Sequence, residues 1–173
     1  MTTADARSSS GQAAELAESI AARLDGTSLR IAVAESLTGG QLSMRLAAAP
    51  NSSSWFAGGL VAYMAETKHR VLGVSPGPVV SARAAEEMAA GIAKLTGANL
   101  TLSVTGVGGP DEQDGQGVGT VFIGVRSPHG ELYVAERMLG GSPEEIIESA
   151  VVASLRLLDS RVDALAATHT VRR

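Results

Sequence analysis

The feature that most constrains the fold is a short apolar run over 29–34, interrupted only by Arg30 and followed by a turn of small residues, 36–40. Such a run is typical of a buried strand. Apolar residues at helical spacing over 13–24 precede it, and a second helix is predicted from Gly40 to about residue 48. Because a buried strand alternates with helices, we expect parallel strands joined by crossover helices.

The rest of the chain extends this alternation and ends in a hairpin. Further strands are predicted over 55–63, 99–105, 120–126 and 131–138, and further helices over 65–72, over 82–95 after an N-cap at Ser81, and from Pro143 onward. The order predicts an α/β fold: a three-layer α/β/α sandwich on a mixed, mainly parallel sheet. We expect a frayed start over 1–12, one domain over 13–160, and a helix end and tail over 161–173.

Composition excludes several classes of function. The 14 basic and 18 acidic residues give a formal net charge of −4, which argues against nucleic acid or an anionic membrane as a partner. The chain has no cysteine, so thiol catalysis and zinc–thiolate sites are excluded. The three histidines are far apart in sequence, and no metal site is predicted.

No targeting or membrane-spanning segment is recognisable. The start of the chain, 1–11, is polar and lacks an apolar stretch of the signal-peptide type. The longest uncharged window, 46–65, contains Pro50 and three consecutive serines, which a spanning helix would tolerate poorly. We therefore expect a cytoplasmic protein.

Ser36 is the first candidate catalytic residue, because it lies where the buried strand turns into a helix. Backbone N–H groups at such a junction have no helical partner and can stabilise an oxyanion, which predicts Thr38, Gly39 and Gly40 as donors. The alternative is a plain N-cap serine with glycines for packing. Glu35 could orient Thr38 or a lysine, or could cap backbone N–H groups.

Tyr63 and Lys68 are the second candidate pair. A serine nucleophile needs a base, and a lysine can serve when burial and the positive end of a helix dipole lower its pKa. Positions five apart on one helix point about 140° away from each other, so Tyr63 must precede the helix if both are to face one site. The alternative is a core tyrosine and a solvated lysine.

The third candidate is the glycine-rich stretch that begins at Thr105. A strand that ends in a hydroxyl and then Gly106 and Gly108 lets the backbone approach a ligand closely. Asp111 stands where a dinucleotide-binding fingerprint would need its third glycine, so that fingerprint is rejected. A flexible turn is the alternative, and the acidic cluster 111–114 is interpreted as a solvated loop.

Together these segments resemble one known family. The segments that carry the resemblance are 34–40, 53–56, 59–63, Lys68, 72–74, 104–110 and 118–121. They resemble the C-terminal domain of the competence/damage-inducible protein CinA, a family that includes nicotinamide mononucleotide deamidases, over about residues 14–158.

The resemblance implies an activity and a set of roles. It implies hydrolysis of the carboxamide of nicotinamide mononucleotide, without metal or cofactor, by a protein that is usually a homo-oligomer and takes a small nucleotide-like substrate. Ser36 would be the nucleophile, activated by Tyr63 and Lys68, with Thr38 and Thr105 in the pocket. With the residues argued above, the expected substrate-binding set is Glu35, Thr38, Gly39, Gly40, Thr105, Gly106 and Gly108.

Three departures from the family pattern bear on the substrate. Met64 and Ala65 follow the tyrosine where many members have an asparagine; Gln116 and Gly117 replace Lys-Pro; and Ile147 replaces an arginine. Because charge-assisted bonds dominate phosphate binding, two alternatives stay open: an amidohydrolase acting on another small amide, and a catalytically silent module that binds a nucleotide-like ligand.

Overall fold

The computed structural model describes residues 9–170, with side chains up to residue 165. The helices are α1 Ser9–Leu24, α2 Gln41–Ala47, α3 Ser52–Trp55, α4 Ala65–Leu72, α5 Ala82–Thr96 and α6 Pro143–Thr170. The strands are β1 Ile31–Glu35, β2 Phe56–Val61, β3 Leu100–Gly106, β4 Thr120–Arg126 and β5 Leu132–Met138.

The five strands form one mixed sheet in the order β2-β1-β3-β4-β5. β1 runs parallel to both of its neighbours, β2 and β3. β4 is antiparallel to β3 and to β5, so four of the five strands run in one direction. Every residue of β1 and β3 is buried, as expected for central strands of a sheet that is covered on both faces. The predicted α/β class is confirmed.

Helices cover both faces of the sheet and make the three layers. On one face, α1, α2 and α6 pack on alternate residues of β1, β3 and β4, such as Val33, Leu102 and Ile123. On the other face, α4 and α5 pack on Ala32 and Ala34 of β1. Among the residues with described side chains, no helix is both long and apolar enough to cross a bilayer.

Several boundaries differ from those predicted, among them those of α1, β2 and α6. α1 begins at Ser9, so residues 9–12 are helical, while 1–8 and 171–173 lie outside the described residues. β2 begins at Phe56 because the serines before it close one helical turn, in which Ser54 N–H donates to Asn51 O at 2.9 Å. α6 continues to Thr170, so most of the predicted tail is helix.

α5 is tied to the sheet by hydroxyl groups on one face of β3. Each donates to a carbonyl oxygen of α5 or of the segment before it, at 2.6–2.7 Å: Thr101 to Ala89, Ser103 to Ala85 and Thr105 to Val79. These buried polar side chains are therefore satisfied by neighbouring backbone. The same bonds hold the segment between α4 and α5 against the carboxyl end of β3.

The contact between α4 and α5 yields a stability prediction. A Cβ built at Gly91 of α5 would lie 2.1 Å from Leu72 O, at the end of α4. Helix propensity alone favours alanine over glycine by up to about 1 kcal/mol, but overpacking against backbone costs about 1–3 kcal/mol or more. We expect Gly91→Ala to lower the free energy of unfolding in urea by at least 1 kcal/mol.

Gly140→Ala is the matched control, because a Cβ there would meet nothing within 4 Å. Its unfolding free energy should stay within about 0.5 kcal/mol of the parent. A stabilised Gly91→Ala variant would contradict the close packing of α4 on α5.

Candidate active site

Ser36 lies at the carboxyl end of β1, the edge at which open α/β sheets bind their ligands. Its backbone N–H donates to Val104 O of β3 at 3.1 Å, and Ala62 N–H, just after β2, donates to Glu35 O at 2.7 Å. The serine is thus held between two neighbouring strand ends. It is 8% exposed, and its hydroxyl has no hydrogen-bond partner among the residues that the structure describes.

The carboxylate of Glu35 holds the turn that follows. It is fully buried and accepts five hydrogen bonds. The donors are the Thr38 hydroxyl at 2.7 Å, Gly40 N–H at 3.0 Å, Leu42 N–H at 3.1 Å, and the N–H and hydroxyl of Ser43 at 2.8 and 2.6 Å. Of the alternatives considered for Glu35, the structure therefore supports two: its carboxylate orients Thr38, and it caps the N-terminus of α2.

This cap changes which N–H groups are free. Gly39 N–H donates to Ser36 O at 3.0 Å, and Gly40 N–H is taken by Glu35. The expectation that both serve as oxyanion donors is therefore corrected, because their hydrogens already have acceptors. The N–H groups of Leu37 and Thr38 have no acceptor within residues 9–170. Leu37, directly after the serine, carries no pattern in the sequence that would have singled it out.

Lys68 lies on α4 and is only 1% exposed. Its Nζ donates to the backbone carbonyl of Tyr63 at 3.1 Å. Burial away from water is the main effect and lowers the pKa of Lys68 to about 8, while the negative charge of Asp114 acts in the opposite direction. A buried lysine of this kind releases its proton far more readily than a solvated one.

Tyr63 precedes α4, as a shared site with Lys68 requires. Its side chain is 68% exposed, so in the single chain its contact with the lysine is made by its carbonyl. The core tyrosine considered from the sequence is therefore wrong. A role for its hydroxyl in activating Ser36 stays a prediction, as does the homo-oligomer.

The glycine-rich segment reaches the serine at one point. A Cβ at Gly108 would lie 4.0 Å from Leu37 Cβ and 3.8 Å from Ile147 Cγ1, so this glycine borders the turn. Gly106 instead accommodates β4, because a Cβ there would lie 2.6 Å from Thr120 O. The buried Thr105 hydroxyl is bound to Val79 O. Substrate contacts by Thr105 and Gly106 stay predictions.

Ile147 places an apolar, half-buried side chain next to Gly108. Two arginines that could supply a phosphate ligand in its place, Arg45 and Arg70, make other contacts. Arg70 pairs with Glu66 on the exposed face of α4 at 3.1 Å, and Arg45 donates to Ser10 Oγ at 2.9 Å. No group of three or more potential metal ligands converges within the described part of the chain.

Asp114 is the residue that sequence reasoning missed. Its carboxylate accepts the N–H groups of Val79 at 2.7 Å and Val80 at 3.0 Å. Asp114 is exposed, as expected for a solvated acidic loop, but its carboxylate also has these two backbone partners. The Asp114-Gly115 pair, a common tight-turn signal, was the available hint.

With this geometry in place, comparison with known proteins assigns the family. A family model for the CinA C-terminal domain matches residues 13–162. The chain belongs to this family. Among solved structures, a CinA superfamily protein from Enterobacter cloacae superposes with a TM-score of 0.83 at 34% identity, over 87% of this chain and 92% of that one. Another from Escherichia coli gives 0.81 at 31% identity, over 92% and 94%.

Two curated relatives differ in length. A CinA-like protein of Frankia casuarinae is 43% identical over 136 residues, 76% of this chain and 31% of that protein. This chain thus spans about a third of the length of the first curated relatives that it matches. The nicotinamide-nucleotide amidohydrolase PncC of Enterobacter agglomerans is 34% identical over 148 residues, 82% of this chain and 90% of its own length.

The cap of this CinA domain yields a second prediction. Glu35→Gln places an amide nitrogen where one carboxylate oxygen now accepts hydrogen bonds, so buried donors lose their acceptor. We expect a loss of about 2–4 kcal/mol in the free energy of unfolding, measured by urea denaturation. Glu66→Gln, an exposed ion-pair partner on α4, should change it by less than about 1 kcal/mol. Equal effects of the two substitutions would contradict the buried cap.

Proposed function

We propose that this CinA domain is a serine amidohydrolase that converts the carboxamide of nicotinamide mononucleotide into nicotinate mononucleotide and ammonia. The 34% identity to a protein named nicotinamide-nucleotide amidohydrolase, over nearly the full length of both chains, supports the substrate. The observation that carries the chemistry is the buried Lys68, whose pKa is lowered. It lies on α4, which follows β2, and β2 pairs with β1, the strand that ends just before Ser36.

In the proposed first half-reaction, neutral Lys68 removes the proton of the Ser36 hydroxyl, directly or through Tyr63. The Ser36 oxygen then attacks the amide carbon, and the carbonyl oxygen becomes an oxyanion. The free N–H groups of Leu37 and Thr38 are proposed to bind this oxyanion; one such donor is often worth about 3 kcal/mol. Thr38 keeps the role expected from the sequence, and Leu37 takes the place of Gly39 and Gly40.

The second half-reaction returns every group to its starting state. The Lys68 ammonium gives its proton to the amide nitrogen, the carbon–nitrogen bond breaks, and ammonia leaves an ester on Ser36. Lys68, neutral again, then takes a proton from water as the water attacks the ester. As that intermediate collapses, the Lys68 ammonium returns its proton to the Ser36 oxygen, and the acid that is released ionises to the carboxylate. A lysine pKa near 8 suits both directions of proton transfer.

A second candidate function rests on Ile147. An apolar side chain beside Gly108 favours an uncharged amide over a phosphate ester, which would need charge-assisted bonds. Ammonia release from nicotinamide mononucleotide and from nicotinamide riboside, measured side by side, separates these functions. Cleavage of the riboside alone favours the second. Thermal stabilisation by the mononucleotide without turnover favours a silent binding module.

Removal of the proposed nucleophile is the direct test. Ser36→Ala should reduce ammonia release at least about 1000-fold, because no covalent intermediate can form. Its thermal unfolding should match the parent, since the hydroxyl has no partner within residues 9–170. Ser142→Ala, at an exposed serine before α6, is the control for activity. Retained turnover by Ser36→Ala would exclude the serine mechanism.

The pH dependence of the reaction follows from the lysine. Only the neutral amine can accept the serine proton, so kcat/KM should rise about tenfold per pH unit below pH 8 and level off above it. Lys94→Arg, at an exposed lysine, should leave this profile unchanged, whereas Lys68→Met should abolish activity. A flat profile between pH 6.5 and 9 would contradict Lys68 as the base.

A further inference from the structure

The segment between α4 and α5, residues 73–81, is held at both ends. At its start, Val74 N–H donates to Lys68 O at 3.1 Å. Near its end, Val79 and Val80 donate to the Asp114 carboxylate, and the Thr105 hydroxyl donates to Val79 O. One short segment therefore links the helix that carries Lys68 to the glycine-rich segment that carries Asp114.

Asp114 itself is held in a tight turn. Gln113 and Gln116 exchange backbone hydrogen bonds of 3.1 and 2.8 Å, and Asp114 and Gly115 between them have φ values of 55° and 75°. Two central residues with positive φ define the hairpin turn in which Asp-Gly and Asn-Gly are preferred. The carboxylate is thus presented from a defined backbone conformation.

We propose that Asp114 is a positioning residue of the Lys68 site, which fastens the glycine-rich segment to the segment after α4 and holds one negative charge near the lysine. This inference rests on the proposed function for its catalytic meaning. Its electrostatic part concerns Lys68 alone and can be tested without substrate.

The charges around α4 support a specific role for Asp114. Glu66 pairs with Arg70 on the exposed face, and Glu87 accepts the N–H and hydroxyl of Ser75. The ring of His69 contacts Val74 O through Nδ1 at 2.9 Å. Among the described residues, Asp114 is the group whose charge raises the pKa of Lys68 against the effect of burial.

The charge of Asp114 keeps the pKa of Lys68 between two unfavourable extremes. Burial alone would leave Lys68 a ready base but a poor holder of the proton that must later reach the amide nitrogen. A directly paired carboxylate would keep the lysine protonated at neutral pH. The carboxylate fixed by Val79 and Val80 acts on the lysine without direct pairing, because no ion pair of 4.0 Å or less joins Asp114 and Lys68 within residues 9–165.

The sequence makes a direct measurement possible, because Lys68 and Lys94 are its two lysines. Protein labelled with ¹³C at lysine Cε gives two side-chain resonances, and Lys94→Arg assigns them. We expect the Lys68 resonance to titrate with a midpoint near 8. Asp114→Asn should lower that midpoint by roughly 0.5–1 pH unit, because the asparagine keeps the turn but removes the charge.

Glu112→Gln is the matched control, since it removes one charge from the same exposed loop and should leave the midpoint within about 0.2 pH unit. Asp114→Ser, which can still accept a backbone N–H, repeats the test if the asparagine variant does not fold. An unchanged midpoint in a folded Asp114 variant overturns the proposal, as does an equal shift in Glu112→Gln.

The activity profile then separates this inference from the proposed function. If Ser36→Ala abolishes ammonia release, Asp114→Asn should move the acid limb of kcat/KM to lower pH by the same amount as the resonance. If Asp114 only stabilised the loop, Asp114→Asn would lower the unfolding temperature. It would leave the midpoints of the Lys68 resonance and of the activity profile unchanged. If the parent protein releases no ammonia from either substrate, the proposed function fails while the resonance still decides the role of Asp114.

Discussion

The buried carboxylate of Glu35 is the interaction on which the candidate site depends. A charge removed from water is stable only when hydrogen bonds replace its hydration, and here five bonds from Thr38, Gly40, Leu42 and Ser43 do so. They join the end of β1 to the first turn of α2. Ser36 lies within this closed arrangement, so its position is determined by backbone and carboxylate rather than by its own hydroxyl.

The chemistry of Lys68 is in turn a consequence of helix packing. α4 lies close to α5 because Gly91 has no side chain to keep Leu72 away, and Lys68 of α4 is buried. Burial lowers its pKa, and the charge of Asp114 opposes that effect. The pKa of this amine therefore depends on its burial and on a charge that lies outside α4.

Much of this arrangement could be predicted from the chain. The buried run before Ser36 and the helix after Tyr63 followed from apolar patterning and spacing, whereas a buried Lys68 with a lowered pKa was one of two alternatives. Gly106 and Asp114 could not be predicted in this way. Gly106 is needed for close approach, and such a glycine has the same sequence signature whether a ligand or β4 approaches. The partners of Asp114 are not visible in the sequence, because Val79 and Val80 reach its carboxylate only in the folded protein.

The sequence by itself determined the alternation of strands and helices, because hydrophobic periodicity reports which faces must leave water. It also located the serine at a strand end and the lysine on the helix that follows Tyr63. The tertiary structure alone decided which N–H groups near Ser36 are free, what surrounds Lys68, and that Tyr63 faces outward. These properties depend on contacts between residues far apart in the chain, such as Asp114 with Val79, and such contacts exist only after the sheet and its two helical layers have assembled.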